Sequence, residues 1–204
     1  MDRVFKIVIS FLLTALVMNS CFATSQEEGM KKQILIVYLS RTHNTRAVAE
    51  MIHQHVGGDL VALELVTPYP ENYRQTVEQV QREDEAGFRP VLKTKIEGMT
   101  NYDVVFVGFP TWGMQLPPPI RSFFHDYDLS GKQVIPFNTH AGYGVGKSFN
   151  QVDQLCKGCR VEKGISFVGG YERNGKMLEI KDKRVLDVKV QLDGWLNQLG
   201  FTTN

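Results

Sequence analysis

Five short apolar runs, each followed by a segment with helical spacing, constrain this chain more than any other feature. The runs cover 33–39, 60–66, 103–109, 133–137 and 160–167. Those at 33–39 and 103–109 are dense in Ile, Leu, Val and Phe without two-residue alternation, the pattern of a strand buried on both faces. Behind the first run, Val48, Met51, Ile52 and Val56 share one face of a helix over 44–56, which Gly57-Gly58 stops. A polar helix over 71–86 carries Tyr73, Val77 and Val80 at three-to-four spacing. Pro117-Pro118-Pro119 leads into a short helix over 120–125, where proline suits the first turn. A helix over 147–156 and an amphipathic helix over 182–199, with Val185, Val188, Leu192, Trp195 and Leu199 on one face, complete the set. Residues 67–70 read as a loop, 87–101 as extended and irregular, and 169–181 as a loop or small hairpin. Strand–helix alternation repeated five times predicts an α/β fold, a parallel sheet covered by helices on both faces.

In such folds ligands sit beyond the carboxyl ends of the strands, where the strand order reverses. Three loops at those ends carry unusual residues: 40–46, 110–117 and 138–146. They follow strands one, three and four, which the order 2-1-3-4-5 places side by side, so the loops converge.

The first loop offers the side chains of Ser40, Thr42, Asn44 and Thr45 at a strand-to-helix turn, with Arg41 and Arg46 nearby. Hydroxyls, backbone N–H groups and the helix dipole can hold a phosphate there. Asn44 or Thr42 would equally serve as an ordinary helix cap. The segment is neither a Gly-Lys-Ser/Thr phosphate loop nor a GxGxxG turn, which favours a mononucleotide phosphate over a triphosphate or dinucleotide. The second loop, Pro110-Thr111-Trp112-Gly113-Met114, sets an indole beside a glycine, either to lie against a planar ring or as a surface anchor. The third, Asn138-Thr139-His140-Ala141-Gly142-Tyr143-Gly144, lets backbone approach a ligand and adds a second ring face, or is a plain turn with an exposed tyrosine.

Together these motifs resemble the flavodoxin family, in particular a short flavodoxin-like group whose phosphate loop reads Ser-Arg-Thr-Gly-Asn-Thr. The resemblance runs from about residue 33 to 199 and includes Tyr69-Pro70 with Tyr73, Arg89-Pro90, Tyr102-Asp103, the Pro-x-Trp loop with its three prolines, and Thr-x-x-Gly-x-Gly at 139–144. It implies a flavodoxin-like three-layer sandwich with a five-stranded parallel sheet, and non-covalently bound FMN. Ser40, Arg41, Thr42, His43, Asn44 and Thr45 would form the phosphate loop. Trp112 and Tyr143 would flank the isoalloxazine, with Pro110, Thr111, Gly113, Thr139, His140, Gly142 and Gly144 around its edge and the ribityl chain. His43 stands where the family has glycine, so a left-handed backbone there would strain it. The three loops contain no Asp or Glu and carry Arg41, Arg46 and two histidines, so a bound flavin should have a less negative potential than in an acidic flavodoxin.

The N-terminus adds a location. Arg3 and Lys6 precede a 12-residue apolar stretch, 7–18, of the length of a secretory signal. Cleavage before Cys21, with a lipid on that cysteine, and cleavage after Ala23 both fit, as does an uncleaved anchor. Each reading exports the domain: a signal over 1–23, a polar tether over 24–32, and the domain over 33–204. Without Asp2, Arg3 and Lys6 the basic and acidic residues balance, which speaks against nucleic-acid binding. Outside the cytoplasm Cys156 and Cys159 are expected as a disulfide; at a helix end they lack the dipole that activates thioredoxin-type thiols. No metal-ligand pattern and no Gly-x-Ser-x-Gly elbow is present.

The reading is therefore an exported FMN-binding redox protein. It would exchange electrons with a partner protein or reduce a small acceptor such as a quinone. The alternative is an exported lipoprotein that keeps the fold as a non-redox ligand-binding or interaction module.

Overall fold

The computed structural model describes residues 32–202. The signal segment, the lipidation candidate Cys21 and all of the tether before Lys32 lie outside them. Strands β1 (Ile34–Tyr38), β2 (Asp59–Ala62), β3 (Val104–Pro110), β4 (Gln133–His140), β5 (Arg160–Val161) and β6 (Ile165–Val168) form one parallel sheet. Its order is β2-β1-β3-β4-β5, with β6 also paired to β4. Helices α1 (Asn44–Val56), α2 (Tyr73–Glu85), α3 (Pro118–Asp126), α4 (Ser148–Leu155) and α5 (Lys183–Gln198) connect and close it. The expected flavodoxin-like arrangement is thus the one observed.

The sheet is buried on both faces because its central strands are apolar on both. On one face Ile36, Phe106, Ile135 and Phe137 pack with Val48 and Ile52 of α1 and Val188, Leu192 and Leu196 of α5. On the other, Leu35, Val105, Val107 and Phe109 meet Ile120 and Phe123 of α3 and Val152 of α4. No residue of α2 belongs to either cluster.

Three elements depart from the sequence expectation. The fifth strand is split: β5 and β6 both lie beside β4, separated by three residues. Glu162 N donates to Val134 O and Gly169 N to His140 O, so Pro136, of the same parity in β4, faces the gap and has no N–H to close it. The second strand stops at Ala62 rather than Val66. Past it the chain turns to an antiparallel segment, with a bridge between Leu65 and Leu92 and bonds from Val66 N to Val91 O and from Lys93 N to Glu64 O, all 3.0 Å or shorter. That pairing anchors part of 87–101 to the chain just past β2. Finally, β4 runs on to His140, so Asn138, Thr139 and His140 are strand rather than loop. Asn138 is fully buried, and its Nδ2 donates to Phe109 O and Thr111 Oγ1, both at 3.0 Å, which is how a polar residue sits inside the ladder.

Candidate functional site

The three loops meet as expected, and hydrogen bonds fix their bases to one another. Thr45 Oγ1 and Thr139 Oγ1 lie 2.8 Å apart, joining the first loop to the third. Thr111 N donates to Thr139 O at 2.9 Å, joining the second to the third. Beside them opens a cleft of about 770 Å³, within the range of small-ligand sites.

The first loop presents backbone rather than side chains. His43 precedes α1 with φ 64° and makes no side-chain cap, and among the described residues the N–H groups of Thr42, His43, Asn44 and Thr45 donate to no protein acceptor. Four free donors at a helix N-terminus form a seat for an anion. The side chains are mostly committed elsewhere. Ser40 Oγ accepts from Arg46 N at 3.2 Å. Asn44, buried, donates to Thr42 Oγ1 and Met177 O and accepts from Glu179 N and Ile180 N, all within 3.0 Å. Its amide therefore ties α1 to the segment before α5 and has no capacity left for a phosphate. Thr42 Oγ1, which accepts from Asn44, keeps its own hydrogen free to donate.

The two arginines of the loop bring no free charge. Arg41 Nε lies 2.9 Å from both carboxylate oxygens of Glu172, while its two terminal nitrogens donate to Pro70 O and Glu71 O. Arg46 pairs with Glu50 one turn along α1. The positive potential expected from these residues is cancelled, because the fold supplies Glu172 and Glu50 from outside the three loops.

Two aromatic pairs stand at the cleft. Trp112 meets Tyr69 edge-on, centroids 5.1 Å apart at 90°. Tyr69 is fixed in turn by donating to Glu83; burial and that carboxylate push its phenol far above its ordinary value. Tyr143 meets Tyr171 edge-on at 5.9 Å and 80°, their hydroxyls 2.9 Å apart. Trp112 lies in a tight turn whose Gly113 and Met114 both have positive φ. Gly146 holds that turn against the third loop: a Cβ there would come within 2.2 Å of Met114 O. In the third loop His140 Nδ1 accepts from Gly142 N at 3.1 Å and Gly144 N at 3.2 Å. Both donors can only donate, so the ring proton sits on Nε2. Burial lowers the imidazole's proton affinity in the same sense.

Of the residues singled out from sequence, Arg41, Thr42, Asn44, Pro110, Thr111, Trp112, Gly113, Thr139, His140, Tyr143 and Gly144 line the cleft. Ser40, Thr45 and Gly142 shape its loops from behind, and His43 is exposed beside it. The cysteines are remote from it in the fold: Cys156 and Cys159 are bonded, Cα atoms 5.6 Å apart, at the carboxyl end of α4, opposite the end that meets the third loop. Two walls were not foreseen. One is the face of α2 bearing Tyr73, Val77 and Val80; the other is Gly169-Gly170-Tyr171-Glu172 after β6. A Gly-Gly-Tyr run just past the last strand was the signal for the second.

A family model for flavodoxin matches residues 33–181. A flavodoxin from a Nostoc species is 23% identical over 150 residues, which is 72% of this chain and 74% of that protein. A crystal structure from Bacteroides eggerthii, provisionally assigned as a flavoprotein, is similar at TM-score 0.65 with 26% identity, covering 83% of this chain and 98% of the other. A Lactobacillus acidophilus flavoprotein solved with FMN gives TM-score 0.60 at 20% identity, covering 66% and 92%. With the sheet order, the loops and a family match over most of its length, the chain belongs to the flavodoxin family.

Proposed function

We propose that this protein is an exported FMN-binding redox protein, acting in electron transfer or in reduction of a small acceptor such as a quinone. The observation that carries the reading is the run of four unpartnered N–H groups from Thr42 to Thr45, in a loop whose Thr42 and Asn44 line a cleft with Trp112 and Tyr143 on its other loops. The donor set fits a phosphate monoester: backbone N–H groups and the Thr42 hydroxyl surround the oxygens, and the α1 dipole favours their charge. Trp112 and Tyr143 bind a planar ring, each held in place by its T-shaped contact with a tyrosine. His140 Nε2–H is a fixed donor for a ring carbonyl or nitrogen at the cleft. The flavin supplies the electron chemistry when bound. The segment 1–23 directs export, with Cys21 as a candidate lipid anchor, and 24–32 spaces the domain from the envelope.

An absorbance scan of the purified protein with and without added FMN tests the cofactor. Flavin bands, and quenching of FMN fluorescence on titration, are expected; their absence would sink the proposal. Turnover of NAD(P)H by the loaded protein then marks an enzyme. Inertness to NAD(P)H with electron uptake from a partner protein marks a carrier.

A further inference from the structure

We infer that the cleft-facing stripe of α2 is the binding face for an uncharged planar acceptor of the quinone class, an inference that rests on the FMN reading above. An amphipathic helix in a globular domain normally buries its apolar stripe in the core. Here Tyr73, Val77 and Val80 lie at i, i+4 and i+7 of α2 and all three line the cleft; none joins either core cluster, and only Val80, 5% exposed, is buried. Tyr73 and Val77 remain 39% and 44% exposed, and Met114, also at the cleft, 43%. The stripe therefore extends the apolar surface of the cleft beyond the three loops that meet the flavin.

Charge selects the occupant. Four charged side chains line the cleft: Arg41, Asp84, Glu85 and Glu172. Arg41 is taken by Glu172 at 2.9 Å, and Asp84 by Arg121 at 2.8 Å. Glu85 accepts only from the Gln81 amide and has no cationic partner among the described residues. Among the described residues no unpaired cation lines the cleft, so a sulfonated or phosphorylated acceptor gains nothing there and meets Glu85. A neutral ring system loses little on desolvation and gains the apolar contact of Val77 and Tyr73. In turnover such a quinone would take up two electrons, and two protons from solvent, to become the hydroquinone. Bound FMN would pass on the two electrons, drawn from one hydride donor or from two one-electron donors that are oxidised in exchange.

The test compares 2-methyl-1,4-naphthoquinone with a sulfonated naphthoquinone by equilibrium dialysis, on the full chain with and without FMN. The variants are Val77→Asp and Val77→Lys, both at an exposed helix position. The wild-type protein should prefer the neutral quinone by about tenfold or more. Val77→Asp should weaken that binding by about tenfold, and Val77→Lys should bring in the sulfonate. FMN affinity, read separately by fluorescence, should stay within about threefold in both variants. Neutral-quinone binding unchanged in Val77→Asp would overturn the inference, as would loss of FMN by that variant, which would make the stripe part of the flavin site itself. Val77-dependent quinone binding in a protein that takes up no FMN would refute the cofactor reading and uphold the stripe.

Discussion

Arg41 and Glu172 form a half-buried bridge in which the guanidinium Nε lies 2.9 Å from both carboxylate oxygens and a terminal nitrogen lies 2.9 Å from Oε1. The other two nitrogens hold Pro70 O and Glu71 O. One side chain thus ties three segments around the cleft, and its charge is spent in doing so. Arg41→Lys keeps the charge and loses the fork, so it should fail to rescue Arg41→Ala. Both variants should raise amide exchange across 170–177 by about tenfold or more, a loss of roughly 1.4 kcal/mol in local closing. Lysine restoring wild-type protection would show that charge, not geometry, makes the bridge.

His43 occupies the left-handed region at φ 64°. A side chain there costs about 1 kcal/mol, although histidine bears it better than most residues. His43→Gly should stabilise the domain by roughly 0.5–1 kcal/mol, raising Tm by about 1–4 °C, and His43→Val should lower it by at least as much. Thermal unfolding followed by circular dichroism decides the matter; a lower Tm for the glycine variant would mean that the imidazole contributes a contact worth more than the strain.

Asp84 and Arg121 approach to 2.8 Å with their side chains 12% and 15% exposed. Asp84 Oδ1 and Arg121 Nε nevertheless make no aligned hydrogen bond. Burial pushes the Asp84 carboxyl up, and Arg121 opposes this. Removing either partner strands a buried charge. Arg121→Met should cost about 3 kcal/mol, while the double variant Asp84→Leu/Arg121→Met should recover most of the loss. Denaturant titrations of the four proteins check this; additive losses would show that the pair is not coupled.

His140 ties stability to pH in a defined direction. Its native form is neutral, with Nδ1 accepting from Gly142 and Gly144 and its proton affinity depressed by burial below the ordinary 6.5. The unfolded chain therefore binds the extra proton first. Stability is complete above about pH 6.5 and falls as pH drops from there through the lower native value. His140→Asn keeps a side-chain acceptor without the titration and should flatten this part of the profile. A wild-type profile flat from pH 7 to 5, or an equal slope in the variant, would rule out His140 as its source.

The fold was legible because its evidence is local. Unalternating apolar runs such as 103–109 and the stripe Val48, Met51, Ile52 of α1 each announce their element, and the alternation announces the layers. The three site loops were legible for the same reason: glycines and aromatics just past strands. Partnerships across long sequence separation were not. Nothing near Arg41 reveals Glu172, 131 residues away, and nothing near Asn44 reveals the backbone at 177–180. The split between β5 and β6 follows from Pro136 on the neighbouring strand, which a reading of 160–167 alone does not contain. The spacing of Tyr73, Val77 and Val80 was plain, but its orientation toward the cleft depends on how α2 sits over the sheet.

The most direct test of the account is a pair of equilibrium titrations of the apo protein, one with FMN and one with riboflavin, followed by flavin fluorescence. The two ligands share the ring that Trp112 and Tyr143 are assigned to hold and differ only in the phosphate assigned to the free N–H groups of Thr42 to Thr45. The account predicts one-to-one quenching by FMN and riboflavin binding weaker by about a hundredfold or more, the equivalent of two charge-assisted hydrogen bonds. Equal affinity for the two flavins, or quenching of neither, would contradict it.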